Sequence, residues 1–291
     1  MGQRVFLNGT LVDRDRAVIS IYDHGFLYGD GVFEGIRVYD RRVFRLAEHV
    51  ARAYRSALAL AIDIGLPPAA LRDAVEETVR ANAVESGYVR LTISRGTGLG
   101  LDPSHLDTDP TIVISTEQLR LYPPAMYERG LDVVTASTRV PPSVCISPQI
   151  KSLGRYVNNI LAKLEANRVG AGEALMLNME GYVAEATGDN VFVVRDGAIA
   201  TPPTSHGALP GITRATVIGC ARDAGLAVAE APLTLYDVYT SDEAFLTGTA
   251  AEVIPMVRLD GRDIGDGRPG PISQRLMSAF RVCAHAAPAL R

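Results

Sequence analysis

Four dipeptides, Asn8-Gly9, Asp40-Arg41, Asp196-Gly197 and Asp260-Gly261, interrupt apolar segments along this chain, and they restrict its fold more than any other feature. A two-residue connection turns a strand straight back on itself, so each dipeptide predicts an antiparallel hairpin. The first joins strands at 5–7 and 10–12, the second strands at 35–39 and 42–46, and the third strands at 191–194 and 198–200, while the fourth falls between the last two expected helices. Elsewhere the period becomes helical. From Glu48 onward, Val50, Tyr54, Ala57, Leu58 and Ala61 recur on one helix face. After Pro67-Pro68, Leu71, Val75, Thr78 and Val79 mark a second amphipathic helix, followed by strands at 88–94 and 111–115. Further on, strands are expected at 131–136 and 174–178, and helices at 154–169, from Pro210-Gly211, and at 272–284. Hairpins mixed with helices argue for mixed α/β or α+β packing and against an all-parallel doubly wound sheet.

Between 116 and 130 the pattern is irregular, and Pro123-Pro124 argues against a sustained element there. The expected division is a smaller N-terminal α/β domain at 1–120, an interdomain loop at 121–130 and a larger domain at 131–291. Hydrophobic residues make up 47% of the chain and charged residues 21%, the balance of a globular protein. A net charge of -4 with dispersed Lys and Arg offers no stripe for nucleic acid, so that partner class is excluded. No apolar run reaches the roughly 18 residues of a membrane span, and the first residues lack a signal-peptide core. The expected location is the cytoplasm. Cys145, Cys220 and Cys283 are too dispersed for a zinc or disulfide pattern and read as reduced thiols.

Two glycine-rich stretches, Tyr28-Gly29-Asp30-Gly31 and Arg95-Gly96-Thr97-Gly98-Leu99-Gly100, fail the dinucleotide fingerprint and read as turns. Leu209-Pro210-Gly211-Ile212-Thr213-Arg214 is a better phosphate candidate. Proline is preorganised for a first helical turn, glycine lets a ligand approach the backbone, and unpaired N–H groups there attract an anion. Many helices open this way without a ligand. Thr247-Gly248-Thr249-Ala250 is a second small, hydroxylated segment that suits an oxyanion or a tight turn. Lys151 lies between apolar Ile150 and Leu153 in a turn bracketed by Pro148 and Gly154. A lone lysine is usually a solvated charge; buried, its amine would lose its proton more readily and attack a carbonyl.

Taken together these segments resemble the fold-type IV pyridoxal-phosphate enzymes, and most of all the branched-chain amino acid aminotransferases. The resemblance rests on His24 to Arg37, Lys151 to Tyr156 with Val157-Asn158-Asn159, Glu180 to Glu185, Leu209 to Arg214 and Gly248 to Glu252, in that order along the chain. It implies a two-domain subunit in a homodimer, with pyridoxal 5′-phosphate near the domain junction and the site partly completed by the neighbour. It makes Lys151 the Schiff-base lysine and Glu185 the partner of the pyridine nitrogen. Such a carboxylate stabilises the protonated ring by about 1.4 to 4 kcal/mol. Arg52 becomes the phosphate arginine, although helical spacing puts it roughly opposite the apolar face, where a solvated charge is expected. Leu209, Gly211, Ile212, Thr213, Gly248 and Thr249 join it around the cofactor, and Tyr156 is expected to bond the ring oxygen.

For substrate, the resemblance points to Tyr28, Phe33, Gly35, Arg37, Tyr88, Arg90 and Ala250. Aromatic walls suit a branched aliphatic side chain, gaining roughly 1.5 to 3 kcal/mol on full burial, and Arg90 would take the distal carboxylate of glutamate. Tyr122, in the connecting loop, is a candidate cover. The implied reaction is ping-pong transamination between branched-chain L-amino acids and 2-oxoglutarate. Competing readings are a D-amino acid aminotransferase, disfavoured because Gly100, Leu101 and Asp102 stand where those enzymes carry an Arg-x-His pair, and an aminodeoxychorismate lyase, which the segment 33–37 does not resemble. From another class, a noncatalytic binding protein on this scaffold is disfavoured by the intact Lys151, Glu185 and Arg52.

Overall fold

The computed structural model describes residues 2–106, 109–118 and 122–286. The chain divides into two compact units, one of Met1–Leu119, Ile150–Tyr156 and Ala284–Arg291, the other of Arg120–Gln149 and Val157–Cys283. Where sequence reading took each domain as continuous, the first unit also takes the segment that carries Lys151.

In the first unit the chain runs β1 Arg4–Leu7, β2 Thr10–Asp13, α1 His24–Tyr28, β3 Gly31–Tyr39, β4 Arg42–Val43, α2 Leu46–Ala59, α3 Pro68–Ala81, β5 Gly87–Ser94 and β6 Thr111–Glu117. The strands form an antiparallel sheet in the order β2-β1-β6-β5-β3-β4. Both expected turns are present, with Asn8 at φ 47° and Gly9 at φ 91°, and Asp40 and Arg41 also at positive φ. One sheet face is covered by the two long helices. Val32, Ile36 and Val38 of β3 and Val89, Leu91 and Ile93 of β5 pack with Val50, Ala53 and Ala57 of α2 and Leu71, Val75 and Val79 of α3. Full burial of each large side chain stabilises the unit by roughly 1.5 to 3 kcal/mol.

The buried face of α2 differs from the expected one. Leu58 is exposed and Ala61 lies beyond the helix end, whereas His49, Arg52 and Ser56 are buried beside Val50, Ala53 and Ala57. Arg52 is therefore on the buried face, not opposite it. The strand expected at 42–46 is also shorter, because Leu46 already opens α2.

The second unit contains α4 Pro124–Arg129, β7 Leu131–Thr135, α5 Tyr156–Arg168 (its first residue belonging to the first unit), β8 Glu173–Leu177, β9 Val183–Ala186, β10 Asn190–Arg195 and β11 Ala198–Thr201. It continues with α6 Ile212–Asp223, β12 Val228–Glu230, α7 Leu235–Tyr239, β13 Glu243–Gly248, β14 Glu252–Leu259 and β15 Arg262–Asp263, and α8 Pro271–His285 follows. Its sheet runs β12-β11-β10-β13-β14-β7-β8-β9, with β15 on β14. Parallel pairs β11·β12, β14·β7 and β7·β8 are mixed with antiparallel ones, so the excluded all-parallel sheet is absent from the described residues. The Asp196-Gly197 and Asp260-Gly261 turns join β10 to β11 and β14 to β15. Within the expected interdomain loop 121–130, Leu121 lies outside the described residues and Pro124 begins α4. Proline there starts a helix instead of preventing one, since the first helical position needs no N–H. Tyr122, the expected cover, is buried in the core of this unit, where its hydroxyl donates to Glu173 Oε2 at 3.2 Å.

No helix among the described residues is long and apolar enough to cross a membrane. Cys145 is exposed, Cys220 and Cys283 are partly buried, and all three are free thiols.

Candidate active site

Lys151 is held between two elements of the first unit. Its carbonyl accepts the Phe33 N–H at 3.0 Å from β3, and its own N–H donates to Ser56 Oγ of α2 at 3.2 Å. The backbone thus fixed, Nζ donates to the Tyr156 hydroxyl at 2.8 Å and lies 4.8 Å from the centre of the Phe33 ring. Phe33 and Tyr156 meet edge to face with centroids 4.6 Å apart. An amine flanked by a hydroxyl and two aromatic rings is screened from bulk water on those sides, the setting in which a lysine acts as a nucleophile or base.

Pleating sorts the neighbours. In an antiparallel pair, directly opposed residues share a face. Phe33, Gly35 and Arg37 of β3 oppose Thr92, Arg90 and Tyr88 of β5, so five of the expected substrate residues, Phe33, Gly35, Arg37, Tyr88 and Arg90, stand on one face. The Arg90 guanidinium lies 3.7 Å over the Phe33 ring, and its Nε–H donates to Thr92 Oγ1 at 3.2 Å. A cation on that face of the ring is favourable by about 0.5 to 2 kcal/mol. A Cβ at Gly35 would sit 1.9 Å from the Tyr88 hydroxyl oxygen, so any side chain there must displace the Tyr88 ring. Burial raises the Tyr88 phenol above its usual range, against the opposing pull of Arg90. Arg37 lies 5.0 Å from the centre of the Tyr39 ring. Tyr28, at the end of α1, is 42% exposed; its hydroxyl accepts the Gly100 N–H at 3.3 Å and its ring meets that of His24 edge to face.

The opposite face of β3 explains Arg52. Val32, Ile36 and Val38 point into the core, so Glu34 does too, and it is 0% exposed. A buried carboxylate is tolerated only if it is paired. Arg52 donates Nε–H to Glu34 Oε1 and Nη2–H to Oε2, both at 2.7 Å, and His49 Nδ1 lies 2.7 Å from Oε2. Burial opposes the Glu34 charge, but Arg52 and then His49 overcome it and hold the carboxyl at about 2. Burial pushes the His49 imidazole below its ordinary value despite Glu34, and because an ionised carboxylate can only accept, His49 donates to it from Nδ1. Sequence reading found Arg52 only through resemblance and missed Glu34 and His49, although an acid within the Val32-x-x-x-Ile36 face of a strand was a usable signal.

In the second unit Glu185 lies on β9, buried, with Oε2 accepting the Leu209 N–H at 2.7 Å. The Leu209 carbonyl in turn accepts from Asn190 Nδ2 at 2.9 Å. This peptide leads into α6, whose N-cap is Gly211 without a side-chain cap. A Cβ at Gly211 would lie 2.0 Å from Asn190 Oδ1, so any side chain there would displace Asn190, and the helix opens at Gly211 with no side-chain cap. Such an end carries roughly half a positive charge and seats an anion. Thr247 of β13 opposes Asn190 across the sheet. A Cβ at the adjacent Gly248 would meet Asp189 Oδ1 at 1.8 Å, and Thr249 and Ala250 follow, partly buried, in the turn to β14. Asn190 and Asp189, which shape both glycine positions, were missed because an Asp-Asn pair before an apolar run reads as an ordinary turn.

Residues 31–259 match the family described as amino-transferase class IV. The chain is 39% identical over 282 residues to the branched-chain-amino-acid aminotransferase of Pseudomonas aeruginosa, covering 95% of this chain and 91% of that one. Its fold is similar to that of the Escherichia coli branched-chain amino acid aminotransferase, with TM-score 0.93, 33% identity, and coverage of 98% of this chain and 95% of that one. It is likewise similar to the T.th. branched-chain amino acid aminotransferase complexed with N-(5′-phosphopyridoxyl)-L-glutamate, with TM-score 0.91, 37% identity, and coverage of 98% and 94%. A family match spanning most of the chain, with relatives alike in sequence and in fold, means that this chain belongs to the class IV aminotransferases, the fold-type IV enzymes that include the branched-chain amino acid aminotransferases.

Proposed function

We propose that the chain is a pyridoxal 5′-phosphate enzyme that moves amino groups between branched-chain L-amino acids and 2-oxoglutarate by a ping-pong cycle. The observation that carries this reading is the Lys151 amine held at 2.8 Å by Tyr156 against the Phe33 ring, on a strand that also presents Arg37 and faces Arg90. The residues fit the cofactor. Lys151 offers an amine for its aldehyde and Tyr156 a hydroxyl for its ring oxygen. Glu185 offers an acid for its ring nitrogen. Gly211, Ile212 and Thr213, with Leu209, Gly248 and Thr249, offer a helix end without a side-chain cap for its phosphate, and Arg52 offers a cation for it. Bound, the group supplies a carbonyl for the substrate amine and a ring that accepts electrons.

The chain's own residues do the rest. Lys151 would carry the proton from the substrate Cα to the carbon that bears the cofactor's carbonyl, and carry one back to Cα in the second half-reaction. Tyr156 holds the amine in line. Phe33, Tyr88 and Tyr28, with Gly35 leaving room, line the path of a branched side chain, and Ala250, in the turn after β13, is the remaining substrate residue of this reading. Arg37 and Arg90 are the cations for substrate carboxylates, and the glutamate adduct bound by the T.th. enzyme supports glutamate as the second amino donor.

A homodimer is part of the same reading. Val18, Ile19, Ile21, Tyr22 and Phe26, all exposed, fall within nine residues before and within α1, and so many exposed large apolar side chains in one short stretch suit a second subunit. Tyr28, 42% exposed, follows it in sequence. The expected compartment is the cytoplasm. Turnover of L-leucine, L-glutamate and D-alanine tests the reading: L-leucine and L-glutamate are expected to serve and D-alanine to fail. Lys151→Ala is expected to abolish turnover, and normal rates in that variant would refute the assignment.

A further inference from the structure

Two elements of the first unit, β3 and α2, meet at a buried charged clasp, and the same two elements grip Lys151. The clasp is the fork of Arg52 on Glu34, completed by His49, with side chains 4%, 0% and 1% exposed. His49 and Arg52 are three residues apart and so share a face of α2. The grip is the Phe33 N–H, next to Glu34, donating to the Lys151 carbonyl, and the Ser56 hydroxyl, one turn beyond Arg52, accepting the Lys151 N–H. A buried ion pair is seldom retained for stability, since apolar residues of similar volume often do as well. A fork does something that apolar packing cannot. With Nε and Nη2 both committed to one carboxylate, the planar guanidinium cannot swivel, and its remaining N–H donors are carried on the edge that faces away from Glu34.

We propose that Glu34 and His49 are positioning residues that aim the Arg52 guanidinium at an anionic phosphate and set its distance from Lys151. This rests on the reading of Arg52 as a phosphate ligand. The carboxylate also cancels the charge of Arg52, so the anion is met by oriented N–H donors and not by net charge. Preference for a phosphorylated ligand is then a matter of geometry. Replacing Glu34 by a neutral residue raises the local positive charge and still weakens phosphate binding, the opposite of what a purely coulombic role requires.

The test compares pyridoxal 5′-phosphate with pyridoxal, which lacks the phosphate. Both are titrated into the cofactor-stripped protein, and the ratio of their dissociation constants isolates the phosphate contribution. Glu34→Gln is expected to weaken pyridoxal phosphate at least 10-fold while changing pyridoxal less than 3-fold. Arg52→Gln is expected to reduce the ratio further. A Glu34→Gln ratio equal to wild type, beside a reduced Arg52→Gln ratio, overturns the positioning role and leaves Arg52 as a ligand. An unchanged ratio in Arg52→Gln overturns both. Should Glu34→Gln fail to fold, His49→Gln, which keeps the fork but removes its third contact, is expected to lower the ratio at least 3-fold, and an unchanged ratio there also overturns the proposal. Melting temperatures of the unliganded variants accompany each titration, and a general loss of structure would weaken both ligands alike.

Discussion

Gly35→Ala adds a single methyl group where there is no room for it. The new Cβ would lie 1.9 Å from the Tyr88 hydroxyl oxygen, 2.6 Å from Cζ and 2.8 Å from Cε2. Comfortable contact needs roughly 3.5 Å, so the phenol must retreat by about 1.6 Å. Overpacking of this kind costs about 1 to 3 kcal/mol, which in a unit of this size lowers the melting temperature by roughly 2 to 12 °C. The functional effect is larger. Tyr88 and Arg90 share a strand face, so moving the ring disturbs the surface opposite Gly35, and displacements near 1 Å cost on the order of 100-fold in rate. Steady-state kinetics with L-leucine and L-glutamate are expected to lose roughly that factor in kcat/KM. Tyr88→Val in the same chain removes the ring and restores space, so the double variant is expected to recover the melting temperature of Tyr88→Val alone. A Gly35→Ala protein with unaltered stability and unaltered kinetics would refute the steric argument.

Three other perturbations follow from the geometry. Tyr156→Phe deletes the acceptor that holds the Lys151 amine, a bond worth about 0.5 to 1.5 kcal/mol, and is expected to slow turnover roughly 2- to 12-fold with the fold intact by circular dichroism. Asn190→Ala strands the buried Leu209 carbonyl at a cost of about 1 to 3 kcal/mol; cofactor titration is expected to find affinity about 10-fold weaker, and unchanged affinity would count against its part in shaping the helix entrance. Acid unfolding gives the third. The folded Glu34 carboxyl lies at about 2 and the unfolded one near 4.5, so the clasp contributes stability above pH 4.5 that fades as pH falls toward 2, on the order of 3 kcal/mol. His49, depressed below 6.5 in the fold, acts with the same sign at higher pH. Glu34→Gln is expected to flatten the denaturant midpoint between pH 4.5 and 2 relative to wild type.

Much of this was legible from residue order. The turn dipeptides are local: positive φ at Asn8-Gly9 or Asp260-Gly261 needs no tertiary help, and those hairpins form where expected. The opening of α6 is local as well, since Pro210-Gly211 and the apolar positions after it specify a helix start. Lys151 stood out by its apolar flanks. What escaped is nonlocal. Counting apolar residues put Arg52 of α2 toward water, because the rule assumes an apolar partner; the actual partner is Glu34, eighteen residues away on β3. Helix α1 and helix α7, five residues each, are too short to display a period. Strand β9 is buried on both faces, so it lacks the alternation that reveals a half-exposed strand. Tyr122 looked like a loop residue since nothing in the sequence announces Glu173, its partner fifty-one positions on.

The Leu209 peptide, gripped at its N–H by Glu185 and at its carbonyl by Asn190, works as a ruler between two chemical tasks. Shortening Glu185 to Asp withdraws the carboxylate by about 1.5 Å, one methylene, and the amide must follow or lose its acceptor. Following would drag the mouth of the neighbouring helix with it. Positions 185 and 190 are therefore not independently adjustable, and under the proposed function an engineer who wishes to retune the acid offered to the cofactor ring would have to redesign the mouth of α6 in the same step.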